Sequence, residues 1–217
     1  PPRGAVAAVV TEAWGPLAGR NANVLIGVTG GLHMVVRPFP FNESPSRPAL
    51  AVPPDVYEML RLYRQPPGTS QLYFRPTDNV VPIGMVASVV AAANTLRALD
   101  SSFQILPERA APLPALRGRN VLLFGGPENS NAIDHTLKRA YWTIEYHAGE
   151  KRMVIRDRRQ PANAKPVFLR NDRTPSGPAT VYGMITVLPS EGNSPSARTV
   201  VVSGISSVGL HGAMEYF

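Results

Sequence analysis

Asn120-Val121-Leu122-Leu123-Phe124-Gly125-Gly126-Pro127-Glu128-Asn129-Ser130-Asn131 joins an unbroken apolar run to a glycine turn and a helix start. An apolar run without alternation suits a strand covered on both faces, as in a parallel sheet between helices. Two glycines behind it permit a sharp turn and close backbone approach. Asn129 or Ser130 then supplies a cap for the next helix. The same order occurs twice more. Val24-Leu25-Ile26-Gly27 runs into Val28-Thr29-Gly30-Gly31, and Thr199-Val200-Val201-Val202-Ser203 runs into Gly204-Ile205-Ser206-Ser207-Val208-Gly209. The fold expected is α/β, a mainly parallel, Rossmann-like three-layer sheet. Such sheets place ligand groups beyond the carboxyl ends of their strands, so the three segments are expected to share one crevice.

The rest of the chain fits around these strands. Ala5–Trp14 reads as a short helix or strand, and Ala22–Val28 as the first strand. Six prolines between residues 37 and 54 argue against regular structure there. Asp55–Tyr63 reads as a short helix, Gln71–Phe74 as a strand, and Arg75–Asn79 as a turn. Pro82–Leu99 reads as a buried helix and Ser101–Leu106 as a strand. Asn129–Tyr141 is expected to be helical. Tyr141–Tyr146 and Arg152–Arg156 alternate around a hairpin turn at Ala148-Gly149-Glu150. Val167–Leu169 and Tyr182–Leu188 read as further strands, and Val208–Phe217 as the last helix. The organisation expected is one α/β domain over residues 1–217, with a proline-rich loop at 37–54 and an antiparallel, β-rich insertion at 141–188.

Composition limits the chemistry. The chain has 217 residues and no cysteine, which excludes disulfides, thiolate nucleophiles and cysteine-held zinc. A net charge of +7 favours contact with anions. Its densest basic stretch holds Lys151, Arg152, Arg156, Arg158, Arg159 and Lys165 and reads as an exposed, solvated face, so no direct nucleic-acid binding is expected. No apolar stretch is long and hydrophobic enough to span a bilayer. A cytoplasmic setting is favoured. Because residue 1 is Pro, the sequence is read as a fragment whose N-terminal module lies outside it.

The candidate ligand-binding residues are those of the three turns: Thr29, Gly30 and Gly31; Gly125, Gly126, Glu128, Asn129, Ser130 and Asn131; Ser206 and Ser207. Backbone amides at a helix start hold carboxylates or phosphates, and hydroxyls and carboxamides add donors and acceptors. Neither G-x-G-x-x-G nor G-x-x-x-x-G-K-[ST] occurs, so dinucleotide binding of the standard kind and P-loop hydrolysis of ATP or GTP are not expected. His33, His135, His147 and His211 show no metal-ligand spacing. Ser203-Gly204 lacks the G-x-S-x-G frame of a nucleophile turn. Glu128 sits inside the central turn, where it is placed to bind a hydroxyl or a cation. No catalytic residue, metal ligand or cofactor is assigned.

Gly118–Asn129, Tyr182–Pro189 and Arg198–Gly204 continuing to Gly209 and Ala213 together resemble a poorly characterised α/β domain of bacterial regulatory or membrane-linked proteins. That domain often follows a DNA-binding or other N-terminal module. The likeness covers mainly residues 118–217. It implies ligand sensing or protein interaction, and it carries over no catalytic residue.

The function expected is therefore a non-enzymatic domain that binds a small polar or anionic ligand at the strand ends. Two alternatives stand beside it. One is an enzyme acting on a nucleotide or sugar-nucleotide, with Glu128, Asp134 and His135 as its working residues. The other is a structural domain without a ligand.

Overall fold

The computed structural model describes residues 14–37, 50–51, 73–107, 112–147, 152–161, 164, 168–169 and 180–217. The chain, read in sequence as one domain, divides into two compact units: residues up to Gly30 together with Val81–Phe217, and Gly31–Val80. The expected element at Ala5–Trp14 (all but its last residue), the helix at Asp55–Tyr63, the hairpin turn at Ala148–Glu150 and most of the proline-rich loop lie outside the described residues.

The first unit is built on a five-stranded sheet. Its strands are β1 (Asn23–Val28), β5 (Ser102–Pro107), β6 (Asn120–Phe124), β10 (Gly183–Pro189) and β11 (Arg198–Gly204), in the order β10-β11-β6-β1-β5. β5, β1, β6 and β11 are mutually parallel, and β10 runs antiparallel to β11 as an edge strand. Strand order reverses at β1. The chain passes from β1 outward to β5, then returns across β1 to β6.

Alternate residues of the central strands enter two separate cores. Val24, Ile26, Leu122, Phe124, Val200 and Val202 pack against α1 (Ile83–Ala98) and α4 (Ser207–Tyr216). Leu25, Val121, Leu123 and Val201 pack against α2 (Leu113–Leu116) and α3 (Asn131–Leu137). This double covering is why the strands read as continuous apolar runs. Each such side chain contributes about 1.5–3 kcal/mol by leaving water. Trp14 closes one end of the first core, with its ring stacked on Phe217 and its indole N–H donating to the Phe217 carbonyl at 3.0 Å.

Three expectations are corrected in this unit. α1 is not a buried helix: Ile83, Val86 and Val90 are exposed. The helix after the central turn is shorter than Asn129–Tyr141. Pro127–Asn129 form a turn, and the Arg139 N–H bonds the Thr136 carbonyl, tightening the chain out of the helix. Of the basic stretch, Arg158 and Arg159 are exposed, but the Arg156 side chain is only 16% exposed, with a Glu145 oxygen 2.9 Å from its Nε.

Residues 141–169 make an antiparallel excursion of β7 (Trp142–His147), β8 (Arg152–Asp157) and β9 (Phe168–Leu169). The last strand of the stretch read as an insertion, β10, belongs instead to the central sheet.

The second unit is a three-stranded antiparallel sheet of β2 (Gly31–Arg37), β3 (Leu50–Ala51) and β4 (Tyr73–Val80), in the order β2-β4-β3. The turn expected at Arg75–Asn79 is strand. β3 pairs only with Tyr73 and Phe74, so Pro76 lies where β4 has a single neighbour and its missing donor is tolerated.

Candidate functional site

The parallel register brings Val28, Phe124 and Gly204 to one edge of the sheet, as the common-crevice reading requires. The reversal of strand order lies between β1 and β6, so the turns after these strands flank the switch point where α/β sheets open a crevice.

Hydrogen bonds stitch the turns to one another. The Thr29 hydroxyl donates to the Phe124 carbonyl at 2.9 Å and lies 3.9 Å from Met85 Sδ. The Thr29 N–H reaches the same carbonyl at 3.2 Å, and the Gly125 N–H bonds Val202 O at 3.1 Å. Thr29 is buried at 1% exposure, so it is a brace rather than a ligand contact. Gly125 has φ +142°, and a Cβ there would meet the Thr29 side chain. Only glycine fits both that backbone and that contact.

Gly126 is different. Its φ is not in the left-handed range, and a Cβ on it would meet the folded-back carboxylate of Glu128. Glu128 is exposed, and one of its oxygens accepts from Asn129 Nδ2 at 3.0 Å. Pro127 contributes no donor. The central turn therefore presents a carboxylate and a carboxamide.

The serines divide similarly. Ser130 Oγ accepts from the Ile133 N–H at 3.0 Å, and Ser206 Oγ from the Gly209 N–H at 3.2 Å. Both are helix caps. Asn131 is exposed at the first position of α3, and Ser207 is half-buried at the start of α4. The Ser207 carbonyl packs against Gly84, where any Cβ would collide with it. Gly30 is half-buried at the end of the first unit. Gly31 opens β2 and pairs with Val80 in the second unit.

Ser203 lies one residue before the end of β11, fully buried, and its hydroxyl has no hydrogen-bond partner among the described residues. A buried hydroxyl left unpaired costs about 1–3 kcal/mol. Sequence reading weighed Ser203 only as a nucleophile. The signal available was a polar residue at the end of a run of valines.

Two other groupings were not visible in sequence. Ser88 Oγ, His211 Nδ1 (3.4 Å), and His211 Nε2 with Glu215 Oε1 (3.4 Å) line up as Ser–His–Glu. Ser88 is fully buried and donates to Gly84 O at 2.7 Å, so this hydroxyl links α1 to α4 and is closed to a substrate.

The second grouping lies at the opposite, amino edge. His135 Nε2 approaches Glu191 Oε1 at 2.8 Å, Arg139 NH1 lies at 3.2 Å, and Arg117 Nε lies 3.7 Å from Oε2. The His135 hydrogen bond, helped by the charges of His135, Arg139 and Arg117, holds the Glu191 carboxyl below the usual carboxylate range. Asp134 pairs with Lys138 at 2.6 Å. The trio Glu128, Asp134 and His135 is thus divided: Asp134 pairs with Lys138 along α3, and His135 is hydrogen-bonded to Glu191. Among the described residues no cluster of potential metal ligands occurs, and no helix is long and apolar enough to cross a membrane.

No protein family, curated protein or solved structure matches the chain.

Proposed function

We propose that the chain is a ligand-sensing or interaction domain, not an enzyme, which holds a small polar ligand at the carboxyl edge of the first unit's sheet. The observation that carries this reading is the convergence of three glycine-marked strand ends around the reversal of strand order. The unpaired Ser203 hydroxyl adds support, since buried polar groups in native proteins almost always have partners. Glu128 and Asn129 narrow the ligand. An exposed carboxylate with no donor from Pro127 favours hydroxyl-bearing or cationic groups over a bare anion at the central turn. A base working with Glu128 would need a partner within hydrogen-bond reach, and the side-chain bond that Glu128 makes among the described residues is to Asn129, while Asp134 and His135 are engaged with Lys138 and Glu191.

Isothermal titration with AMP, UDP-glucose and ribose 5-phosphate tests the reading. At least one is expected to bind, and Glu128→Ala and Gly126→Val to weaken it by roughly tenfold while remaining folded by circular dichroism. Binding that neither substitution alters removes the central turn from the site. Steady turnover of a bound probe replaces the reading with the enzymatic one.

A further inference from the structure

The amino edge of the same sheet carries a charge arrangement that the ligand reading does not use. Arg117 and Arg119 lie in the turn between α2 and β6, Lys138 and Arg139 at the end of α3, and Arg198 at the start of β11. Hydrogen bonds draw these segments together. The Gly118 N–H donates to Glu191 O at 2.5 Å, and the Arg198 N–H to Asn120 Oδ1 at 3.0 Å. Among the described residues, the carboxylates set against these cations are Glu191 and Asp134. Arg119 and Arg198 have no carboxylate partner among the described residues, and the Arg117 side chain is 61% exposed.

We propose that this edge is a docking surface for an acidic protein segment, whose carboxylates bind as Glu191 is bound. Glu191 is the built example. Its carboxylate, on the turn between β10 and β11, is gripped by a histidine and an arginine, with a second arginine close by. Guanidinium forks match carboxylates in geometry as well as charge. The remaining N–H groups of Arg117, with those of the half-buried Arg119 and Arg198, add to the same chemistry, although one nitrogen of Arg198 already donates to the Pro195 and Ala197 carbonyls.

Three features favour a protein segment over a nucleic acid. Glu191 and Asp134 stand among the cations, where they repel an evenly charged phosphate backbone but leave gaps for separated carboxylates. Base stacking needs free aromatic faces. Tyr141, the exposed aromatic that follows the end of α3 in sequence, has Arg159 over its ring at 5.1 Å, and Arg159 is itself paired with Asp157. The gap beside Arg117, Arg139 and Thr199 is only about 20 Å³, space for roughly one water, so recognition is of a surface and not of an engulfed small molecule.

Fluorescence anisotropy with a labelled decaglutamate peptide and a labelled thymidine decanucleotide, at ionic strength near ~50 mM, tests the proposal. The peptide is expected to bind more tightly than the oligonucleotide. Arg117→Glu combined with Arg119→Glu should weaken the peptide by roughly tenfold or more, and Glu191→Gln should strengthen it severalfold by freeing its cations. Tighter binding of the oligonucleotide, or of phosphatidylserine vesicles, overturns the assignment. So does peptide affinity that the arginine and Glu191 substitutions leave unchanged. Gly126→Val should leave peptide binding intact, which separates this test from that of the carboxyl edge.

Discussion

The carboxyl and amino edges of the central sheet are closed by different physics. At the carboxyl edge the turns are joined by backbone groups and small side chains: the Thr29 hydroxyl on Phe124 O, the Gly125 N–H on Val202 O, and the Ser130 and Ser206 caps. At the amino edge a single carboxylate, Glu191, gathers His135, Arg139 and Arg117. The first arrangement depends on steric fit and is indifferent to salt. The second depends on charge, so added salt and low pH weaken it.

The largest effect should come from Gly125→Val. It forces a branched side chain into the Thr29 contact at a backbone angle that disfavours it, and about 3 kcal/mol of stability should be lost in urea unfolding. A loss below the error of the measurement would dissolve the claim that fit closes this edge. Ser130→Ala comes next. Removing the cap on α3 should cost about 1 kcal/mol, equally at low and high salt.

Glu191→Gln should cost less, on the order of 0.5–1 kcal/mol, because the carboxylate is partly exposed and screened. Its sign with pH is fixed by the direction of the shift. The folded carboxyl titrates below the unfolded one, so its contribution is complete above the ordinary glutamate range and fades as pH falls through the folded value. Wild type and Glu191→Gln should therefore converge in stability under acid, and at high salt near neutrality. A difference constant across pH would show that the carboxylate acts by packing alone. The smallest effect is expected for Glu128→Ala, within about 0.5 kcal/mol, since this side chain is exposed and its bond among the described residues is to the neighbouring Asn129.

The strands that form the carboxyl edge were legible because covering by helices on both faces leaves an unbroken apolar run. Val121 to Phe124 feed the two cores alternately, and Val200 to Val202 do the same. The position of the polar turn residues was legible for the same reason, and so was the helix cap at Ser130, but the tasks of the others were not. Thr29, Ser130 and Ser206 carry the right groups in the right place, yet those groups are turned inward to backbone partners. A sequence records that a hydroxyl is available and not which way it faces. The amino-edge cluster was invisible because Arg117, His135, Arg139 and Glu191 meet only through the sheet. Arg75–Asn79 was misread because Pro76, Asp78 and Asn79 carry turn signals. Pairing with β2 overrides them.

The second unit enters and leaves the chain through a matched pair, since its first residue, Gly31, is the register partner of its last, Val80. A segment whose two ends meet can be added to or taken from a host sheet without stretching the host. Excising residues 31–80 and joining Gly30 to Val81 through a short glycine-serine bridge should leave β1 followed by α1, the plain strand–helix step of an α/β fold. The trimmed chain would keep the five-stranded sheet and both of its cores, since every residue of them lies in the first unit.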